Sequence, residues 1–288
     1  MSVLEELHKT SIRVSDISAQ YWCERQMELN YIHGPKITKE IQKGSKIHEE
    51  LEGETNVPIM LQPRSYADSL YKALYTSHEA IATLKAKGVT REVQLYGSLG
   101  GYRVVGKIDQ LQSENGETAI LEDKTRSNDS MPSDAQVLTH RVQVMIYKKM
   151  LDDVTSGDYN IKNFVAGYRT AALKMTDEFV RQLNANEIER NLQDIGAIAQ
   201  VFFEDMRTLN KISNTLYIRY LNQYTKNEIK LEKLSYDGKE AQGIITHVLK
   251  YWNGERKSLP VPESEKWKCG WCRFFNNECT VWSEKKVL

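Results

Sequence analysis

No run of eighteen apolar residues occurs among the 288 positions, so no membrane-spanning helix is expected. The first residues, Met1-Ser2-Val3-Leu4-Glu5-Glu6, have neither the basic n-region and apolar h-region of a secretion signal nor the Arg-rich, acid-poor character of a presequence. An intracellular protein without a membrane partner is the expectation. Net charge is missing too, since 39 Lys and Arg balance 39 Asp and Glu. Any nucleic-acid surface must then be a local patch, because the molecule as a whole is not a polycation. Repeats and low-complexity linkers are absent, and only Pro260 and Pro262 mark a clear hinge. What is present, 40% hydrophobic residues in a chain of this length, supports a real core in one large domain or two small ones.

Cysteine is scarce and uneven: Cys23 stands near the start, and Cys269, Cys272 and Cys279 form C-x2-C-x6-C near the end. In a non-secreted chain this spacing argues for metal ligation over disulfides. Four thiolates suit a structural zinc or an iron-sulfur cluster equally well on chemistry alone. Trp22, Trp267, Trp271, Phe274 and Trp282 crowd the same neighbourhood, as a shield for a cluster or as the core of a small cap.

The sharpest local signal is a hairpin. Gly106-Lys107-Ile108-Asp109 leads through Glu114-Asn115-Gly116-Glu117 into Glu122-Asp123-Lys124. Asn-Gly between strand-like runs calls for a type I′ turn, with positive φ at both central residues. That turn sets Asp109 directly opposite Glu122, with Cβ atoms about 4.5–5.5 Å apart. Lys124 projects from the same face, and Asp123 from the other, so that Asp123 would act through its backbone carbonyl. Facing acids repel unless a cation intervenes. Asp109 and Glu122 holding Mg²⁺ or Mn²⁺, with Lys124 positioning water, is the geometry of a metal-dependent phosphodiesterase. The pattern is short, and an ordinary water-facing ion-pair set would also produce it.

Around the hairpin, helices are expected from Ser15 or Asp16 through Cys23 to Ile32, from Pro35 to about Gly53, over 65–87 and over 133–152. Strands are expected over 89–95, 102–111, 118–125 and 163–172. Residues 176–253 read as largely helical, with strand-like intervals at 215–224 and 229–234. Lys36, Lys39, Lys43 and Lys46 recur at helical spacing and make a basic stripe, for phosphates or simply for water. His48 completes the metal site if its helix faces the hairpin. Gln143 and Tyr147 share a helix face, to bind phosphate, to orient Lys124 or to form a half-buried boundary. Glu92 reads as an edge-strand carboxylate that could add one more acid. Gly44 would weaken its helix or mark the close approach of another backbone.

Taken in order, Gly44-Ser45-x-x-His48, Gly106-x-x-Asp109, Glu122-x-Lys124-Thr125-Arg126 and Gln143-x-x-x-Tyr147 resemble the motif series of RecB-like nucleases with a PD-(D/E)xK core. The split cysteine set resembles their iron-sulfur branch, which includes CRISPR-associated adaptation nucleases and AddB-type helicase-nucleases. Tyr21-Trp22-Cys23-Glu24, Arg91-Glu92-Val93, Lys124-Thr125-Arg126 and Trp267-Lys268-Cys269-x-x-Cys272 resemble the exonuclease V (defects-in-morphology) family over nearly the whole chain. The resemblance implies an α/β fold, a mixed central sheet flanked by helices in a single domain over 1–288. Within it, 1–88 would be N-terminal helices, 89–172 the catalytic sheet core, 173–262 mainly helical and 263–288 a cysteine-rich tail. It also implies a 4Fe-4S cluster on Cys23, Cys269, Cys272 and Cys279 as a staple between the chain ends, and Mg²⁺-dependent hydrolysis of single-stranded DNA entered from a free end, usually the 5′ end. Arg126 would then contact DNA. A single-strand-binding protein is the candidate loading partner, the state is expected to be monomeric, and the compartment nucleus or mitochondrion. A zinc-stapled endonuclease and a non-catalytic single-strand-binding module are the competing readings.

Overall fold

The computed structural model describes residues 2–282. In chain order the elements are α1 (Val3–Glu6), β1 (Ile12–Arg13), α2 (Val14–His33), α3 (Lys39–Thr55) and α4 (Tyr66–Lys87), then the meander β2 (Val89–Leu99), β3 (Tyr102–Glu114) and β4 (Glu117–Arg126). After these come α5 (Asp134–Ser156), α6 (Ile161–Tyr168), α7 (Asp177–Ala185), α8 (Ile195–Arg207), β5 (Ile212–Asn222), β6 (Glu228–Ser235) and α9 (Gly238–Trp252). A 3₁₀ segment, Glu263–Trp271, leads into the cysteine tail.

Local chemistry explains the boundaries that matter. Ser65 and Asp68 form a capping box at the start of α4, and Gly88, left-handed at φ 75°, ends it. Thr38 caps α3 by accepting the Ile41 N–H. The far end of α3 is tied to β2, because Asn56 Nδ2 donates to the Arg91 carbonyl and Asn56 Oδ1 accepts from Thr90. Residues 35–38 precede the helix, which starts later than its sequence suggested and leaves Lys36 outside it.

One sheet runs in the order β1-β3-β4-β5-β6, with β2 on the other edge of β3. It is mixed: β1 with β3 and β4 with β5 are parallel, and the remaining pairs are antiparallel. The hairpin turns on Asn115 (φ 51°) and Gly116 (φ 78°), and its ladder pairs Glu114 with Glu117 and Gln110 with Leu121, the expected register. Alternation along β4 then sorts the side chains. Ile120 joins the large core with α5, whereas Ala119 and Leu121 form a small cluster with Tyr217 on the opposite face.

Three expectations need correction. Residues 163–172 form α6 and a short 3₁₀ turn, not a strand: Phe164 and Tyr168, four apart, are buried while Ala166 between them is exposed, so the period is helical. The sheet is not confined to 89–172: the strand-like intervals at 215–224 and 229–234 are β5 and β6, and they extend it. Cys23 is not in regular helix. It takes an extended conformation (φ −167°, ψ 110°) at a break in α2, and its sulfur accepts the Gln26 N–H.

Close packing of α2 and α5 against β3 depends on Gly106. A Cβ there would lie 2.5 Å from Tyr147 Cε1 and 2.8 Å from Val14 Cγ2. Gly106→Ala is expected to cost about 1–3 kcal/mol through overpacking, read as a lower urea midpoint; an unchanged midpoint would mean that the contact yields freely.

Candidate active site

The backbone ladder between β3 and β4 ends at Gln110–Leu121, and beyond it the strands diverge, β4 continuing alongside β5. The first N–H past the ladder, that of Asp123, is taken by Asp109 Oδ2 at 2.8 Å. Asp109 and Glu122 therefore sit where the sheet opens, 8% and 2% exposed. On the far side, the pairs Arg91–Gln110 and Val93–Ile108 bracket Glu92, which stands across from Asp109. Three acids thus lie abreast on three neighbouring strands. Glu92 is left-handed at φ 56°, an uncommon conformation for a non-glycine residue inside a strand.

Helix α3 brings the imidazole. Gly44 rides against the end of β4, where a Cβ would be 2.8 Å from Thr125 Oγ1, and His48 follows one turn later on the same face. Its Nδ1 is 3.6 Å from both Glu92 Oε1 and Asp109 Oδ1. The ligand atoms of His48, Glu92 and Asp109 all fall within 4.8 Å of one another. Helix α5 supplies the other wall. Gln143 Nε2 donates to Glu122 Oε1 (2.6 Å) and to the Tyr147 hydroxyl (3.2 Å), and Gln143 Oε1 accepts from Lys124 Nζ (2.9 Å). Lys124 Nζ also donates to Glu122 Oε1 at 2.8 Å. Glu122 Oε2, by contrast, is buried and has no donor.

Electrostatics divides the carboxylates. Burial, then the Glu122 charge, pushes the Asp109 carboxyl well above the usual range, and burial raises Glu122 despite Lys124 beside it. Asp123 goes the other way: burial would raise it, but Arg219 and Arg91 more than offset that and hold it low. Arg219 grips both its oxygens (2.7 and 2.9 Å), and Arg91 reaches Oδ2 at 2.8 Å. Burial opposes the charge on Lys124, yet Glu122 and Asp109 keep it raised. For His48 burial is likewise outweighed, by Glu92 and Asp109. An orphaned buried oxygen beside a carboxylate cluster and one imidazole fits a divalent cation of the Mg²⁺ or Mn²⁺ type.

His48, Glu92, Asp109, Glu122, Asp123 and Lys124 line a cleft of about 1160 Å³ together with Arg13, Ile41, Gly44, Lys107 and Gln223, while Gln143 and Tyr147 stand behind this lining. The basic stripe is not among its lining. Helix α3 turns Glu40, Ile41, Gly44, Ser45, His48 and Glu49 inward, and Lys36, Lys39, Lys43 and Lys46 lie elsewhere. Lys43 instead stacks on Tyr224, 3.3 Å from the ring centroid. Arg126 donates to the Ser130 carbonyl outside the cleft. Lys107, paired with Glu92, and the arginine clamp on Asp123 were not anticipated. Arg219 reaches Asp123 through a parallel pairing ninety-six residues away, which local pattern cannot reveal.

In a separate cavity, Cys23, Cys269, Cys272 and Cys279 come together, walled by Trp22, Val261, Phe275 and Trp282. Trp271 is exposed and takes no part in it, while Trp267 meets Trp22 edge to face. Among the described residues no three of the sulfurs lie within 4.8 Å of one another.

The family model for exonuclease V, described as a 5′ deoxyribonuclease, matches residues 3–123, 114–208 and 186–282. The chain belongs to the exonuclease V family. Exonuclease V of Danio rerio is 28% identical over 302 residues, covering 99% of this chain and 73% of that protein. Among solved structures, a candidate exonuclease from Eubacterium rectale aligns over 90% of this chain and 87% of its own at 13% identity and a TM-score of 0.41, too slight a likeness to carry an argument. Membership in exonuclease V places the chain among DNA exonucleases.

Burial raises Asp109 and Glu122, and the neighbouring acids raise His48, so protons compete with a metal for these ligands at higher pH than for free side chains. Apparent Mn²⁺ affinity is therefore expected to rise with pH. Calorimetry in buffers of different ionisation enthalpy reads this as net proton release; binding without proton release would contradict it.

Proposed function

We propose that this member of the family is a metal-dependent exonuclease that degrades single-stranded DNA from free 5′ ends. Supporting the direction is the family description as a 5′ deoxyribonuclease. Supporting the metal is one observation above the others, the donorless Glu122 Oε2 beside Asp109 in the opening of the sheet. Asp109 and Glu122 would hold the ion, with His48 and the Asp123 carbonyl completing its shell and Glu92 near enough to join. The bound ion would polarise the scissile phosphate and lower the pKa of its water.

The protein groups do the rest. Lys124 is pinned between Glu122 and Gln143, so its ammonium is fixed before substrate arrives and points where water and developing negative charge must be held. Tyr147 orients Gln143, and Gln143 orients both Glu122 and Lys124. The Asp123 side chain accepts three N–H bonds from two guanidinium groups. Its carboxylate, locked by Arg91 and Arg219, fixes the backbone from which its neighbours project. The four cysteines would carry a 4Fe-4S cluster, tying the break in α2 to the C-terminal tail as a structural staple.

End-labelled linear and circular single strands test the reading. Linear strands should be degraded with Mg²⁺ and circles left intact; cleaved circles would make the enzyme an endonuclease. Asp109→Ala should reduce cleavage to background with folding retained, and Gln143→Ala should lower kcat roughly 10–100-fold, as for other groups that orient metal ligands. Near-normal rates in Asp109→Ala would remove the assignment. The same preparations should be brown, and Cys272→Ala should lose both the colour and soluble yield.

A further inference from the structure

One polar atom in the lining of the cleft has no partner among the described residues. Gln223, in the turn after β5, is 6% exposed and belongs to the cleft lining. Its Nε2 donates to the Glu40 carbonyl (3.1 Å) and to Thr125 Oγ1 (3.0 Å), which fixes the orientation of the amide. Its Oε1 is left buried without a donor. Such an acceptor costs about 1–3 kcal/mol. A phosphodiester backbone carries only acceptors, so a nucleic-acid donor for Gln223 has to be a base N–H or a terminal hydroxyl.

The next residue points to a base. Tyr224 is 67% exposed, an unusual position for a large ring, and its backbone is held rigidly. Asn222 Oδ1 accepts from the N–H groups of Tyr224 (2.7 Å) and Thr225 (3.1 Å), while Asn222 Nδ2 is anchored on Asp129. Lys43 covers one face of the ring and leaves the other open. Ile41, also exposed, lines the adjoining cleft from α3. An open ring and a cation thus sit together, and the neighbouring Gln223 connects them to the cleft that holds the metal-binding acids.

We propose that this rim is a base-binding platform for an unpaired nucleotide. The base stacks on Tyr224, the Gln223 amide gives up an Nε2 bond and turns its Oε1 out to accept from the base edge, and Lys43 meets the adjoining phosphate. Duplex DNA is excluded, since its base faces already cover one another. The platform rests on the nuclease reading and gives it a substrate class: single strands recognised by their bases as well as their charge.

The test measures binding of the full-length protein, in chelator to prevent cleavage, to oligothymidylate and to an oligonucleotide of equal length built from abasic residues. Wild type should prefer the strand with bases. Tyr224→Ala should weaken oligothymidylate binding roughly tenfold, leave the abasic strand unchanged and leave the thermal midpoint unchanged; Tyr224→Phe should bind as wild type. Oligothymidylate binding by Tyr224→Ala equal to wild type would overturn the platform, as would equal weakening on both strands, which would reduce the ring to a support for Lys43. If wild type binds neither strand, the proposed function falls together with the platform.

Discussion

Beyond Gln110 and Leu121, strands β3 and β4 no longer exchange backbone hydrogen bonds, and the Asp109 carboxylate takes the N–H that the ladder would have paired. The opening this creates depends on what holds Asp123 in place. Its side chain, on the opposite face, is gripped by Arg91 from β2 and Arg219 from β5, so three strands are locked to one carboxylate. A buried ion pair of this kind adds little net stability over a well-packed apolar group, but breaking it by removing one partner is severe. Its evident use here is to fix register. With Asp123 pinned on one face, Glu122 and Lys124 must project from the other, towards Asp109 and Gln143.

The adjacent acids Glu122 and Asp123 thereby acquire opposite characters. Asp123 has guanidinium partners on both oxygens and stays ionised; Asp109 and Glu122 are buried with too little positive charge around them and are raised. Paired acids hold a structure, and underpaired ones are what a cation can satisfy. The same division appears in the helices. The glycine in α3 lets the helix approach β4 closely enough for His48 to reach the acids, while its lysines turn away from them. A basic stripe along α3 is thus not the inner wall of the cleft, and any attraction it exerts on DNA acts at the rim, where Lys43 meets Tyr224.

Much of this is legible in the sequence. Asn115-Gly116 dictates its turn, and with it the facing of Asp109 and Glu122, because positive φ at both positions is a local demand. Gln143 and Tyr147 share a face by helical period, and the motif series points to exonuclease V. Other features were illegible for physical reasons. Phe164-Val165-Ala166-Gly167-Tyr168 satisfies both periods at a glance, and only burial at a four-residue interval decides for helix. The break at Cys23 has no glycine or proline to mark it. Arg219 becomes a partner of Asp123 only through parallel pairing of distant strands, and the left-handed backbone at Glu92 has no local cue. Sequence pattern reported what neighbours in the chain demand; it was silent where the third dimension assigned the partner.

The central claim is that the opened β3–β4 edge is a cation site whose missing ligand contact belongs to Glu122. Anomalous diffraction from crystals grown with Mn²⁺ tests it most directly. The account predicts a peak bonded to both Asp109 and Glu122 Oε2, with His48 or the Asp123 carbonyl in the same shell. Manganese held by His48 and Glu92 with Glu122 Oε2 still without a partner, or no peak at the opened edge, would contradict it.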